Sequence, residues 1–236
     1  VFLADEILQN KPWEYLRPRA NPASYFSDIK NLISLLKREN FSADEFKSVI
    51  VQEIEDLKND PANISSRGET KGQLKKEVQS KIESLQKTAE VVDFYHAYES
   101  VKRERSLMDY DDVLTYAVQL VTDYEDVCAD IREQYQYVLV DEHQDSSGIQ
   151  NAFLTAVWAE VERSNIFVVG DDRQLIYGFG GASMNHFVDF VNTFSDTQLI
   201  TLIHNYRSTA PILDLADTLL TSELAQGKLV SNHEMK

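Results

Sequence analysis

The chain has 236 residues, 43% of them hydrophobic and 26% charged, enough to bury one good core and a second small one. Its longest apolar runs, such as Ile166 to Val169, are strand-sized and far short of the roughly 20 residues a membrane span needs. A single Cys128 excludes an internal disulfide framework and fits a reducing, cytoplasmic setting, and five scattered His give no structural zinc pattern. The net charge of −16 is unevenly spread. Residues 1–105 hold 17 Lys/Arg against 18 Asp/Glu, a net of −1, whereas residues 106–236 hold 6 against 21, a net of −15. Such asymmetry suggests two units with different jobs. The acidic half alone argues against nucleic acid, because phosphate neutralisation supplies most non-specific affinity.

Val1-Phe2-Leu3-Ala4-Asp5 has no initiator Met and no basic, apolar leader, so the chain is expected to be a piece of a longer protein. The first half reads as all-helical. Ser24 is positioned to cap a helix whose stripe is Ile29, Leu32, Ile33, Leu35 and Leu36. Ser42-Ala43-Asp44-Glu45 fits a capping box opening a second helix that stops near Asp60-Pro61, and residues 59–70 read as a loop. One long helix is predicted from Lys71 to about Arg103, with Leu74, Val78, Ile82, Leu85, Ala89, Val92 and His96 along one seam. Periodicity alone leaves open a plain helical bundle or a DNA-touching subdomain.

The second half alternates strands and helices. A helix from about Asp111 to Val127 leads to Tyr137-Val138-Leu139-Val140, ending in Asp141. A helix from Gly148 to about Val161 leads to Ile166-Phe167-Val168-Val169, ending in Gly170-Asp171. A helix from Met184 to Phe194 leads to a third strand, Gln198 to Ile203, then Asn205-Tyr206-Arg207-Ser208 and a further helix. This alternation predicts an α/β fold with a parallel sheet covered on both faces.

In an open α/β sheet, ligands sit beyond the carboxyl ends of the strands, where Asp141 and Glu142 would project. Phosphoryl transfer needs a metal among the phosphates and a group to orient the attacking water. A strand-end Asp-Glu alone is more often a solvated turn or a cap. What surrounds it is more specific. Asp141-Glu142-His143-Gln144-Asp145 closely resembles the Asp-Glu-aromatic-Gln-Asp Walker B box of UvrD/Rep superfamily 1 DNA helicases. Val168 to Ala182, which includes Gly170-Asp171-Asp172-Arg173-Gln174, resembles that family's next motif, and Leu202 to Ser208 the one after it. Tyr110-Asp111-Asp112-Val113-Leu114 is similar to a short acidic-aromatic element ahead of the family's Walker B strand.

The resemblance implies ATP and Mg²⁺ as cofactors. Asp141 would bind Mg²⁺ through water, Glu142 would be the general base, Gln174 would sense the γ-phosphate and Arg207 would act as an arginine finger. Tyr206 could stack on adenine, while Tyr177 and Phe179 would offer faces to unpaired bases. Core packing is the alternative for Tyr177 and Phe179, and a surface salt bridge for Arg207. His143 replaces the usual Tyr or Phe, Arg173 an acidic residue, Leu175 a Ser, and Gly180 a family Arg that links nucleotide to DNA. No G-x-x-x-x-G-K-S/T loop occurs anywhere in the chain. The family places that loop before its helical insertion, so it is expected upstream of Val1, and the second motor domain downstream of Lys236.

The resemblance therefore implies a helical inserted subdomain over 1–105, a partial RecA-like P-loop NTPase domain over 106–225 and a tail over 226–236. It also implies a parent that hydrolyses ATP to translocate on single-stranded DNA and to open duplex at junctions, in repair or replication. The competing readings are an ATP-driven single-strand translocase or helicase subunit of a nuclease complex, and a non-catalytic scaffold.

Overall fold

The computed structural model describes residues 2–16, 25–66, 71–174 and 184–221. Four helices come first: α1 (Phe2–Asn10), α2 (Phe26–Arg38), α3 (Ala43–Asn59) and α4 (Lys76–Glu104). The Ser42 box forms as expected, its hydroxyl accepting from Glu45 N–H at 3.1 Å and the Glu45 carboxylate reaching back to Ser42 N–H. The residue before α2 is Tyr25, which makes no side-chain cap; the expected Ser24 cap lies outside the described residues.

The 29-residue α4 is apolar on two faces, and this organises the helical half. One face carries Leu85, Ala89 and Val92 against Ala43, Phe46 and Ile50 of α3. The other carries Val91 and Phe94 against Ile7 and Leu8 of α1 and Ile29 and Ile33 of α2. Glu90 between them accepts the backbone N–H groups of Glu14, Tyr15 and Leu16 at 2.5–2.9 Å, anchoring the turn after α1. The helix begins at Lys76, not Lys71. Leu74 matches the seam spacing but instead pairs with Ile64 in an isolated antiparallel bridge, so residues 71–75 close the preceding loop.

α5 (Tyr110–Asp123) opens on a second capping box, between Asp109 and Asp112. The single helix expected to about Val127 is two. Tyr124 leaves helical geometry (φ −127°, ψ 99°), and α6 (Glu125–Gln134) starts in a new direction, which lets Cys128 join Val121, Val157 and Trp158 in a second core. β1 (Val138–Val140), α7 (Gly148–Trp158) and β2 (Ile166–Val168) follow, then α8 (Met184–Thr193) and α9 (Ala210–Thr221). β1 and β2 are parallel, Val138 opposite Ile166 and Val140 opposite Val168. Val138 and Ile166 enter the second core, while Leu139 and Phe167 on the other face remain 77% and 57% exposed.

The third strand expected over Gln198–Ile203 does not form. Its backbone has no ladder partner among the described residues, and Ile200 and Leu202 stand exposed. A short apolar stretch makes a strand only where a neighbouring edge takes up its N–H and C=O groups. Among the described residues the chain is therefore mostly helical, with a two-stranded parallel sheet. No described helix is long and apolar enough to cross a membrane.

α2, α4 and α5 meet at a buried ion cluster. Lys37 Nζ lies 2.5 Å from Asp112, 2.9 Å from Glu99 and 3.0 Å from Asp109; Lys102 Nζ lies 2.6, 2.8 and 2.9 Å from the same three. Burial pushes Asp109 and Asp112 up, but hydrogen bonds from Lys102 and Lys37 outweigh it and hold both below the usual carboxylate range. Burial likewise lowers Lys37, yet its bonds to Asp112, Glu99 and Asp109 prevail and raise it above the ordinary lysine value. The stability owed to the two carboxylates is thus full above their unfolded value of about 3.9 and fades as pH falls below it. That owed to Lys37 is full below its unfolded value of about 10.4 and fades only as pH rises beyond it.

Replacing Asp112 with Ala leaves two buried ammonium groups short of a partner and is expected to cost about 3–5 kcal/mol in urea unfolding. The variant should also lose less stability than the wild type between about pH 5 and pH 3. A cost below about 1 kcal/mol would show the cluster to be screened like a surface pair.

Candidate functional site

The site is built on the carboxyl ends of β1 and β2. The ladder continues past both strands: Val169 N–H donates to Val140 C=O at 2.8 Å and His143 N–H to Val169 C=O at 2.9 Å. Each chain then turns immediately. After β1, residues His143–Asp145 form one 3₁₀ turn; after β2, Asp172–Gln174 form another. The two turns lie side by side because parallel register leaves both strand ends at one edge.

Asp141 and Glu142 are exposed at the tip of β1. Asp141 Oδ1 accepts the Glu142 N–H at 2.9 Å. Glu142 itself sits in the left-handed region (φ 50°, ψ 44°), which costs a non-glycine residue about 1 kcal/mol or more. What holds it there is buried. Gln144, only 1% exposed, donates through Nε2 to the Glu142 carboxylate at 2.6 Å and accepts the Asp171 N–H on Oε1 at 3.1 Å. One side-chain amide therefore joins the two strand ends. Gly170 makes this possible, since a Cβ there would meet Gln144 Oε1 and Phe187 Cζ, both at 2.6 Å.

His143 fills the floor, fully buried and edge-on to Phe187 and Phe190 at 5.0 and 5.3 Å. Its Nε2 lies 2.9 Å from Asn151 Oδ1. Because both Asn151 amide hydrogens go to Ser146 Oγ and Ser147 C=O, Nε2 is the protonated nitrogen. Burial pushes the imidazole below its ordinary value, so it is a neutral packing group. The Asp145 Oδ1 beside it is buried without a hydrogen-bond partner.

Of the residues singled out by sequence, Asp141, Glu142 and Gln174 come to this edge. The Gln174 amide donates to Asp171 Oδ2 at 2.8 Å, and Arg173 N–H to Asp171 Oδ1 at 3.0 Å, so Asp171 organises the second turn. Arg173 also reaches Asp217 of α9 at 3.5 Å. Tyr206 and Arg207 are exposed in the segment before α9. Asn205 Oδ1 accepts the Arg207 and Ser208 N–H groups at 2.9 and 2.8 Å, and Tyr206 rests near His204. Their contacts are local, and none of those described joins them to the strand tips. Tyr177 and Phe179, with Leu175 and Gly180, lie outside the described residues.

In the sequence Gln144 and Gly170 are each members of a motif, and nothing local to either marks it as a partner of the other. A polar residue two positions after an exposed strand-end Glu was the available signal. Its pairing with Gly170 is tertiary and belongs to neither segment alone.

Gly170→Ala should destabilise the protein by about 1–3 kcal/mol through overpacking against Gln144 and Phe187. Urea unfolding measures it; a change within about 0.5 kcal/mol would mean the strand ends are not closely apposed.

Comparison with known proteins bears on this geometry. The chain is 34% identical over 131 residues to the ATP-dependent DNA helicase PcrA of Leuconostoc citreum, covering 55% of the chain and 17% of the relative. It is 31% identical over 147 residues to the ATP-dependent DNA helicase UvrD2 of Mycobacterium tuberculosis, covering 61% and 20%. It is 29% identical over 194 residues to an ATP-dependent helicase/nuclease subunit of Natranaerobius thermophilus, covering 74% and 15%. The chain thus spans a fifth or less of the length of these relatives. The UvrD/REP helicase N-terminal domain family matches residues 7–195, which take in the helical half, both strands and both turns, and the chain belongs to that family.

Proposed function

We propose that the chain forms the hydrolytic edge of the first motor domain of an ATP-dependent DNA helicase, which moves along single-stranded DNA and opens duplex at junctions. The observation that carries this reading is the meeting of Asp141 and Glu142 with the Asp171–Gln174 turn across one buried amide. Residues 1–105 are the helical inserted subdomain, 106–225 the partial RecA-like P-loop NTPase domain and 226–236 a tail. Repair or replication in the cytoplasm is the setting.

The donor set suits Mg²⁺, a hard cation bound by one or two carboxylates plus phosphate oxygens and water. Asp141 is an exposed strand-end carboxylate, and the nearby Asp145 leaves a buried oxygen unpartnered. Asp141 would hold the ion through water, and the ion when bound supplies charge neutralisation among the phosphates. Glu142 would take the proton of the attacking water on its carboxylate. Gln174 would release Asp171 and turn its amide to the γ-phosphate and that water, and Arg207 would bring positive charge as the phosphoryl group leaves. Tyr206 would stack on the adenine. Tyr177 and Phe179 would stack on unpaired bases, which lets an acidic domain grip DNA without relying on phosphate contacts alone.

A helicase subunit of a nuclease complex is the second reading. The relative whose name joins helicase and nuclease matches more of this chain than the PcrA and UvrD2 relatives do, which favours it.

In the full-length protein, Glu142→Gln should leave ATP binding within about threefold while lowering DNA-stimulated turnover by at least ~100-fold, as expected on losing a general base. A loss smaller than about tenfold would remove Glu142 from that role. Residues 1–236 alone, having no phosphate-binding loop, should turn over no ATP.

A further inference from the structure

Gln144 is the most buried polar side chain at the site apart from His143, and both ends of its amide are spent on the two strand tips. Its Nε2 hydrogen bond goes to an ionised carboxylate at 2.6 Å, the stronger kind of hydrogen bond. Its Oε1 takes the N–H of Asp171, whose own carboxylate holds Gln174 and the Arg173 N–H. A hydrogen-bonded path thus runs from the Glu142 carboxylate through the Gln144 amide to the Asp171 backbone N–H, and on from the Asp171 carboxylate to the Gln174 turn. The pieces around the amide are shaped to it. Gly170 offers no Cβ to displace it, and Phe187 closes the same space.

We infer that Gln144 is a positioning residue for ATP hydrolysis: it fixes the Glu142 carboxylate and ties it to the Gln174 turn, so that base and phosphate sensor move as one body. This rests on the proposed role of Glu142. Gln144 touches neither nucleotide nor water in this account. Its contribution is to hold a carboxylate on a strained left-handed residue, where an untethered side chain would sample several rotamers.

Two substitutions separate the halves of the amide. Gln144→Met keeps the shape and loses both hydrogen bonds. Gln144→Glu keeps an oxygen to accept the Asp171 N–H but replaces the donor to Glu142 with a like charge. In the full-length protein both should lower kcat with single-stranded DNA by roughly 30-fold to 100-fold. KM for ATP should stay within about threefold, because the interaction removed is made to the base and not to bound nucleotide. A readout independent of turnover uses the wild-type side chain. The Gln144 side-chain amide protons should exchange slowly with solvent in the wild type and quickly in Glu142→Ala, each variant's folding being checked by circular dichroism.

Folded Gln144 variants with wild-type kcat overturn the proposal, and so does a rise in KM that accounts for the whole loss. If neither variant folds, the exchange measurement decides: amide protons indifferent to Glu142→Ala overturn it. The two readings fail differently. Turnover surviving Glu142→Gln removes the proposed base itself. Turnover lost in Glu142→Gln but untouched in the Gln144 variants removes only the positioning role.

Discussion

Two buried lysines, the buried Asp112 and the half-buried Glu99 and Asp109, gathered where α2, α4 and α5 meet, set the frame on which the site stands. The cluster joins a nearly neutral half of the chain to a strongly acidic one, and it does so at the start of α5, the first helix of the acidic half. Buried ion pairs are weak sources of net stability, since desolvation offsets most of their attraction. Their effect here is on register. Asp112 must cap its own helix and face two ammonium groups at once, which only one placement of α5 against α2 and α4 allows. α5 then packs along α7, and α7 begins just beyond the turn that follows Asp141 and Glu142. Gly148, at the start of α7, lies so close to Glu39 at the end of α2 that a Cβ would sit 2.7 Å from its carbonyl oxygen. The helical layer and the strand edge are thus one mechanical object.

At that edge the chain accepts local cost for placement. Glu142 occupies a backbone region that favours glycine, and its side chain is held by a buried amide. Strain of this kind persists only where surroundings over-determine it, and it concentrates at working sites. His143 beneath it is neutral and packed among Phe187 and Phe190, so the residue that departs from the usual aromatic of the family keeps an aromatic's place. The Asn151 contact gives its Nε2 a partner, while Nδ1 is buried without one. Nothing in this arrangement requires basic surface, which fits a domain whose acidic half carries a net of −15.

Patterns local to a few residues were legible in advance. Ser42 and Glu45 announced their capping box, and the apolar runs before Asp141 and Gly170 announced two strands. Where pattern misled, a neighbour decided. Leu74 fits the helical seam, yet Ile64 takes it into a bridge; the helical spacing of α5 extends past Tyr124 to Val127, yet the core over Cys128 needs a break there; Ile200 sits in a strand-sized apolar stretch but finds no edge. The same division holds at the site. Asp141, Glu142 and Gln174 could be picked out by type and by position at strand ends. The Gln144–Gly170 contact could not, because it exists only once two segments separated by 26 residues are in register. The Tyr110-to-Leu114 stretch resembles a family element, while the use of its Asp112 in an ion cluster depends on Lys37 and Lys102 arriving from other helices.

The central claim is that the ends of β1 and β2 form one face of an ATP site. A structure of the full-length protein with Mg²⁺ and a non-hydrolysable ATP analogue tests it most directly. The account predicts the metal's water shell against Asp141, the γ-phosphate within reach of Glu142 and the Gln174 amide, and the Gln144 bridge intact. Nucleotide bound elsewhere, with Glu142 and Gln174 still facing open solvent, would contradict it.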